Sequence, residues 1–139
     1  MKITIEAKVN APIDLVWQCW TTPEDIKQWN AASDDWHTTA ATVDLRAGGR
    51  FSSRMEAKDG SLGFDFSGQY LVVEEPRLIV SRLAEALDGR EVQVEFTPTP
   101  DGVIVRESFE AEDSHSEAQQ RDGWQAILDR FAGYVEAKA

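Results

Sequence analysis

Trp124-Gln125-Ala126-Ile127-Leu128-Asp129-Arg130-Phe131-Ala132-Gly133-Tyr134-Val135 is the stretch on which the fold turns. Its apolar members, Trp124, Ile127, Leu128, Phe131, Tyr134 and Val135, recur at i, i+3, i+4, i+7, i+10 and i+11. That spacing makes one apolar stripe along a helix of about five or six turns. Just upstream, Ser114-His115-Ser116-Glu117 carries the Ser-x-x-Glu pattern of a capping box. Gly123 lies inside the helix, where it costs about 1 kcal/mol relative to Ala, and so points to close packing there.

Most of the chain before this helix has the other period. Ile3, Ile5, Ala7 and Val9 share one face of residues 2–9, and Glu91-Val92-Gln93-Val94-Glu95-Phe96 alternates cleanly, as half-buried strands do. Further strands are expected over about 36–45, 51–58, 63–74, 78–83 and 103–111. Gly48-Gly49, Asp59-Gly60, Glu75-Pro76, Asp88-Gly89 and Pro98-Thr99-Pro100-Asp101-Gly102 supply the turns between them, and Gly68 is a candidate bulge. After the first strand, Pro12 and Asp14 open a short helix (12–20) with Ile13, Val16, Trp17 and Trp20 on one side. Thr22 caps a second (23–29) that carries Ile26 and Trp29. The order is strand, two helices, six strands, helix. It predicts an α+β domain spanning 1–139, in which a curved antiparallel sheet of about seven strands wraps the long C-terminal helix. A curved meander gripping one helix leaves space between them, the natural ligand site of such an architecture.

The 139 residues carry a net charge of −11 and suffice for one domain that buries about two-thirds of its unfolded surface. An acidic chain with no Lys/Arg cluster is a poor partner for nucleic acid or anionic lipid. No apolar run exceeds Tyr70-Leu71-Val72-Val73, which excludes a transmembrane helix, and the alternating N-terminus lacks the apolar segment of a signal peptide. A single cysteine, Cys19, excludes an internal disulfide framework. Together these point to the cytoplasm.

Several local patterns add up to a resemblance: Ala11-Pro12-x-x-x-Val16-Trp17, Pro23-Glu24-x-x-x-x-Trp29, Asp44-Leu45-Arg46-x-Gly48-Gly49, Asp59-Gly60, Gly68 followed by Glu75-Pro76, and Gly123-Trp124. In this order and spacing they resemble the START-like helix-grip (SRPBCC) superfamily, most closely the bacterial proteins related to the activator of Hsp90 ATPase (AHSA1). Asn30 to His37 together with Phe51 to Glu56 look like a bacterial subset of that group. The resemblance implies the helix-grip fold. It leaves function open among ligand binding, catalysis of the polyketide cyclase kind and an Hsp90-type co-chaperone partnership, since one scaffold supports all three.

The residues themselves favour binding of a small apolar or aromatic molecule over catalysis. His37 and His115 are far apart and no close ligand pair exists, so no metal or other cofactor is expected. A Cys19–His37 nucleophilic pair is disfavoured because Cys19 sits between Trp17 and Trp20. If the strand from residue 36 alternates without a bulge, His37 faces inward with Thr39, Ala41 and Val43, either as a ligand-orienting group or acid/base, or as a satisfied core histidine. Glu107 shares a face with Val103, Val105 and Phe109, where an apolar cavity would raise its pKa unless an arginine pairs with it. Asp34 and Arg54 complete the polar candidates. Trp29 and Trp36 bracket a polar loop beside the expected mouth. Phe51, Met55, Phe64, Phe66 and Phe96 would line a pocket, with Trp124 at the start of the helical stripe; Trp17, Trp20 and Trp124 are expected mainly to hold helices to the sheet.

Overall fold

The structure, a computed structural model, describes residues 2–139. The alternating segments become β1 (Lys2–Val9), β2 (Trp36–Val43), β3 (Arg50–Ala57), β4 (Gly63–Glu74), β5 (Leu78–Leu83), β6 (Glu91–Thr99) and β7 (Gly102–Glu110). They form one antiparallel sheet in the order β1-β7-β6-β5-β4-β3-β2. Short turns dictate this: each strand from β2 to β6 pairs with its successor, and β1 pairs with β7 from Lys2↔Glu110 to Val9↔Val103. Helices α1 (Ile13–Thr21) and α2 (Pro23–Trp29) intervene between β1 and β2, and α3 (Glu117–Lys138) ends the chain.

The helical stripe does what its period requires. Leu128, Phe131 and Val135 are fully buried, and α3 lies along β1. Helix α2 lies on β2 and touches α3, so the helices bridge the two edge strands of the open sheet. Phe131 anchors that bridge: Trp20 and Trp29 each meet its ring edge-on with centroids 4.8 Å away. Such pairs are worth about 0.5–1.5 kcal/mol beyond the area they bury. A polar tie reinforces the contact, because Tyr134 and Lys138 of α3 donate to Asp25 Oδ1 of α2 at 2.5 and 2.9 Å.

Five local expectations are corrected. The capping box uses Ser116 and Gln119, two residues past the predicted pair, because Ser114 is engaged with Glu112 instead. Thr22 precedes α2 but makes no side-chain cap, and Pro23 alone marks the start. Gly68 is in regular register between Phe51 and Leu83; a Cβ there would lie 2.4 Å from the Arg82 carbonyl and 2.9 Å from the Phe51 ring, so close approach explains the glycine. The register shifts fall instead between Thr38 and Ala40 and between Tyr70 and Val72. Pro98 belongs to β6 rather than to a turn, at a point past the last β5 partner, Glu95, where a missing N–H is tolerated. Finally, no atom lies within 4 Å of where a Gly123 Cβ would sit, and nothing in the structure explains that residue.

Candidate functional site

The interior is not filled. Side chains from the sheet, α1, α2 and α3 surround a cavity of about 300 Å³, a size at the lower end of small-molecule sites. Its walls are aromatic. Trp20 and Trp29 stand 5.1 Å apart, Phe51 rests on Tyr70 at 5.0 Å, and Phe66 meets Trp124 edge-on at 6.0 Å. Trp124 is held in place by stacking on Phe109 at 3.9 Å. Trp29 donates its Nε1 proton to the Cys19 carbonyl at 2.9 Å, which satisfies its polar atom. Phe64, 40% exposed, marks where the cavity meets solvent.

Polar groups on the wall are few. Ser53 and Ser81 lie on β3 and β5, and Arg90, just before β6, turns its guanidinium to the carbonyls of Leu87 and Glu110 at 3.2 and 2.9 Å. Tyr70 has its hydroxyl pushed up to about 12, first by burial and then by the nearby Asp44 carboxylate, so it stays neutral. The remaining ionisable group is Glu107. On its face of the sheet the cross-strand neighbours are Ile5 on β1 and Val94 on β6, and the residues two before and two after are Val105 and Phe109. It has no hydrogen-bond or ion-pair partner among the described residues and is 8% exposed. Among the described residues no fully enclosed side-chain oxygen lacks a partner, so the Glu107 carboxyl opens onto the cavity. Burial alone pushes it up to about 8, which keeps it protonated at neutral pH.

The residues singled out from sequence divide into two groups. Trp29, Phe51, Met55, Phe64, Phe66, Glu107 and Trp124 lie on the cavity wall. His37, Asp34, Arg54, Trp36 and Phe96 do not. The irregularity after Thr38 is the reason for His37: Thr38 takes the buried place and donates to the Asn30 carbonyl at 2.7 Å, while His37 sits opposite Glu56 on the other face. Arg54 shares that outer face and pairs with Glu56 and Asp65 at 3.0 and 3.4 Å. Asp34 is exposed and pairs with Arg130. Trp36 packs against Phe64 at 6.0 Å outside the cavity, and Phe96 is enclosed by Trp17 and Trp20 at 5.3 and 5.8 Å.

Sequence reasoning missed Trp20, Tyr70, Ser53, Ser81 and Arg90 as wall residues. Trp20 faces both core and cavity, a distinction no periodicity carries. Ser53 and Ser81 do fall on the inward period of their strands, and that was the signal available. Cys19 is fully buried, with its thiol pushed up by burial and then by Asp25, the opposite of an activated nucleophile. Among the described residues no group of three or more His, Cys, Asp or Glu lies close enough to hold a metal ion. None of their helices is long and apolar enough to cross a membrane.

Residues 10–136 match the family model described as activator of Hsp90 ATPase homolog 1-like protein. The chain belongs to that family. An AHSA1-like protein from Aeromonas hydrophila, solved in solution, is 53% identical over 99% of this chain and 94% of its own, with a TM-score of 0.92. A protein from Cytophaga hutchinsonii is 44% identical over 99% and 93%, with a TM-score of 0.83. A crystal structure from Nitrosomonas europaea, at 22% identity over 99% and 96% and a TM-score of 0.86, shares the fold. The seven-stranded sheet with its C-terminal helix is thus the helix-grip fold of the AHSA1-like proteins. None of the curated proteins compared with the chain matches it.

Proposed function

We propose that this protein is a cytoplasmic binding protein that encloses a small apolar or aromatic molecule between its sheet and α3. The observation that carries the reading is the cavity of about 300 Å³, apolar and aromatic on most of its wall, in a chain that elsewhere packs its interior. Burying a ligand there yields about 25 cal/mol per Å² of apolar area, and a few polar groups suffice to orient it. A buried, unpaired Cys19 fits a reducing compartment. The description of the family model speaks of Hsp90 ATPase activation. The cavity, by contrast, belongs to this chain's own side chains, and the proposal follows it.

One observation favours a second reading, an enzyme using the same cavity: the unpaired Glu107 carboxyl is placed and tuned for proton transfer near neutral pH. Without His37 on the wall it would act alone.

The binding reading is tested by native mass spectrometry of freshly purified protein and a thermal-shift screen with flavonoids, lipids and aromatic polyketides. A ligand that binds only the folded state raises its stability by about 2.7 kcal/mol at a hundredfold excess over Kd. Ser81→Phe, which fills the cavity from β5, should abolish the shift. No bound molecule and no shift with any class, or shifts that survive Ser81→Phe, would overturn it.

A further inference from the structure

One wall residue is out of keeping with the rest. Glu107 is a carboxyl group without a partner, opening into an aromatic chamber, and Ile5, Val94, Val105 and Phe109 around it offer no hydrogen bond. Among the described residues the one cation on the wall, Arg90, is directed at the carbonyls of Leu87 and Glu110. A group that completes this site must therefore bring its own donor, and preferably its own positive charge.

The remaining features of the chamber suit such a guest. The rings of Trp20, Trp29, Phe51, Phe66 and Trp124 present π faces and edges around it, and the negative face of an aromatic ring attracts a cation, the more so where water is excluded. The net charge of −11 raises the local concentration of cations and lowers that of anions. A volume of about 300 Å³ equals about ten waters, enough for a bicyclic body with a short arm.

We propose that the ligand of this cavity is an organic amine, its ammonium group held by the Glu107 carboxylate and its apolar body lying against the aromatic wall. The inference rests on the cavity being a binding site, as argued above, and adds the class of guest. Proton balance follows from the same arrangement. Free Glu107 carries its proton near pH 7, and an arriving ammonium displaces it, so binding releases close to one proton to solvent. Among the other groups on the wall, Tyr70 stays neutral and the Arg90 guanidinium is engaged with the carbonyls of Leu87 and Glu110, while β1 and β6 place only Ile5 and Val94 beside Glu107. None of them competes for that proton.

The test uses three probes of one shape: tryptamine, tryptophol and indole-3-propionate. Their affinities for the native protein are measured by isothermal titration calorimetry near pH 7, in two buffers of different ionisation enthalpy. The amine is expected to bind about tenfold tighter than the alcohol, the carboxylate weakest of all, with about one proton released per amine bound. Glu107→Gln should reduce the amine to the alcohol's affinity while leaving the alcohol within about twofold. The ranking in native protein needs no variant, so a misfolded Glu107→Gln would not spare the proposal. An alcohol as tight as the amine, a carboxylate tightest, or a preference that persists in Glu107→Gln overturns the amine assignment and leaves the cavity reading standing. Failure of all three probes and of neutral naphthalene to bind sinks the cavity reading, and this inference with it.

Discussion

Replacing Glu107 by Gln should make the protein more stable, and increasingly so as pH rises. The unfolded chain gives up this proton near 4.5, its ordinary value, while the folded protein holds it up to about 8. Between those values the folded state binds more protons than the unfolded one, so stability conferred by the protonated carboxyl declines through this window. Each pH unit within it is worth about 1.4 kcal/mol. From about pH 5 to about pH 8 the stability of native protein relative to Glu107→Gln should fall by about 3 kcal/mol. Other titrating groups are common to both proteins and cancel in the difference when they lie far from the substitution. Urea unfolding followed by tryptophan fluorescence at several pH values gives both curves. Two curves that run parallel, within about 0.5 kcal/mol across this range, would refute the reasoning, because the carboxyl would then be solvated or paired.

Three further outcomes follow from the packing. Phe131→Ala removes the ring against which Trp20 and Trp29 close, and should cost about 3–5 kcal/mol of unfolding free energy, measured by urea denaturation. Asp25→Ala should cost about 1–3 kcal/mol, since it frees Tyr134 and Lys138 from their shared acceptor. Burial opposes the Asp25 charge, but the two hydrogen bonds outweigh it and hold its carboxyl below the ordinary value; its contribution is therefore present above about pH 4 and disappears as pH falls through the folded value, which acid titration of native protein and variant compares. His37→Ala, on the outer face, should leave affinity for any cavity ligand within about twofold by calorimetry, and a larger loss would place the imidazole inside.

The architecture could be read from the chain because its two periods are so cleanly separated. Ile3, Ile5 and Val9, like Val92, Val94 and Phe96, alternate without interruption and are all buried. Leu128, Phe131 and Val135 fall on the helical stripe and are buried in the core as their spacing demands. What failed to transfer was facing, and it failed where one residue breaks the pleat. The shift between Thr38 and Ala40 reverses the face of His37, and no local sequence signal marks it, since Thr38-Thr39-Ala40 contains neither Gly nor Pro. Glu107 lies on a strand without such a break, and simple alternation placed it correctly on the inner face with Val105 and Phe109. Arg54 and Asp34 were misjudged for a different reason: their partners Glu56, Asp65 and Arg130 are contacts that only the folded chain creates.

The irregularity in β2 also offers a handle for redesign. Because one residue more stands on β2 than on β3 between Thr38 and Ala40, deleting Thr39 would restore plain alternation through the strand. Thr38 faces inward opposite Met55 and Ala40 outward opposite Arg54, so the shortened strand would keep Thr38 on the buried side and the His37 imidazole on the outer face opposite Glu56. The irregularity is thus a place where β2 can lose a residue without turning its side chains over, and among the described residues Glu107 would remain the one carboxyl of the chamber.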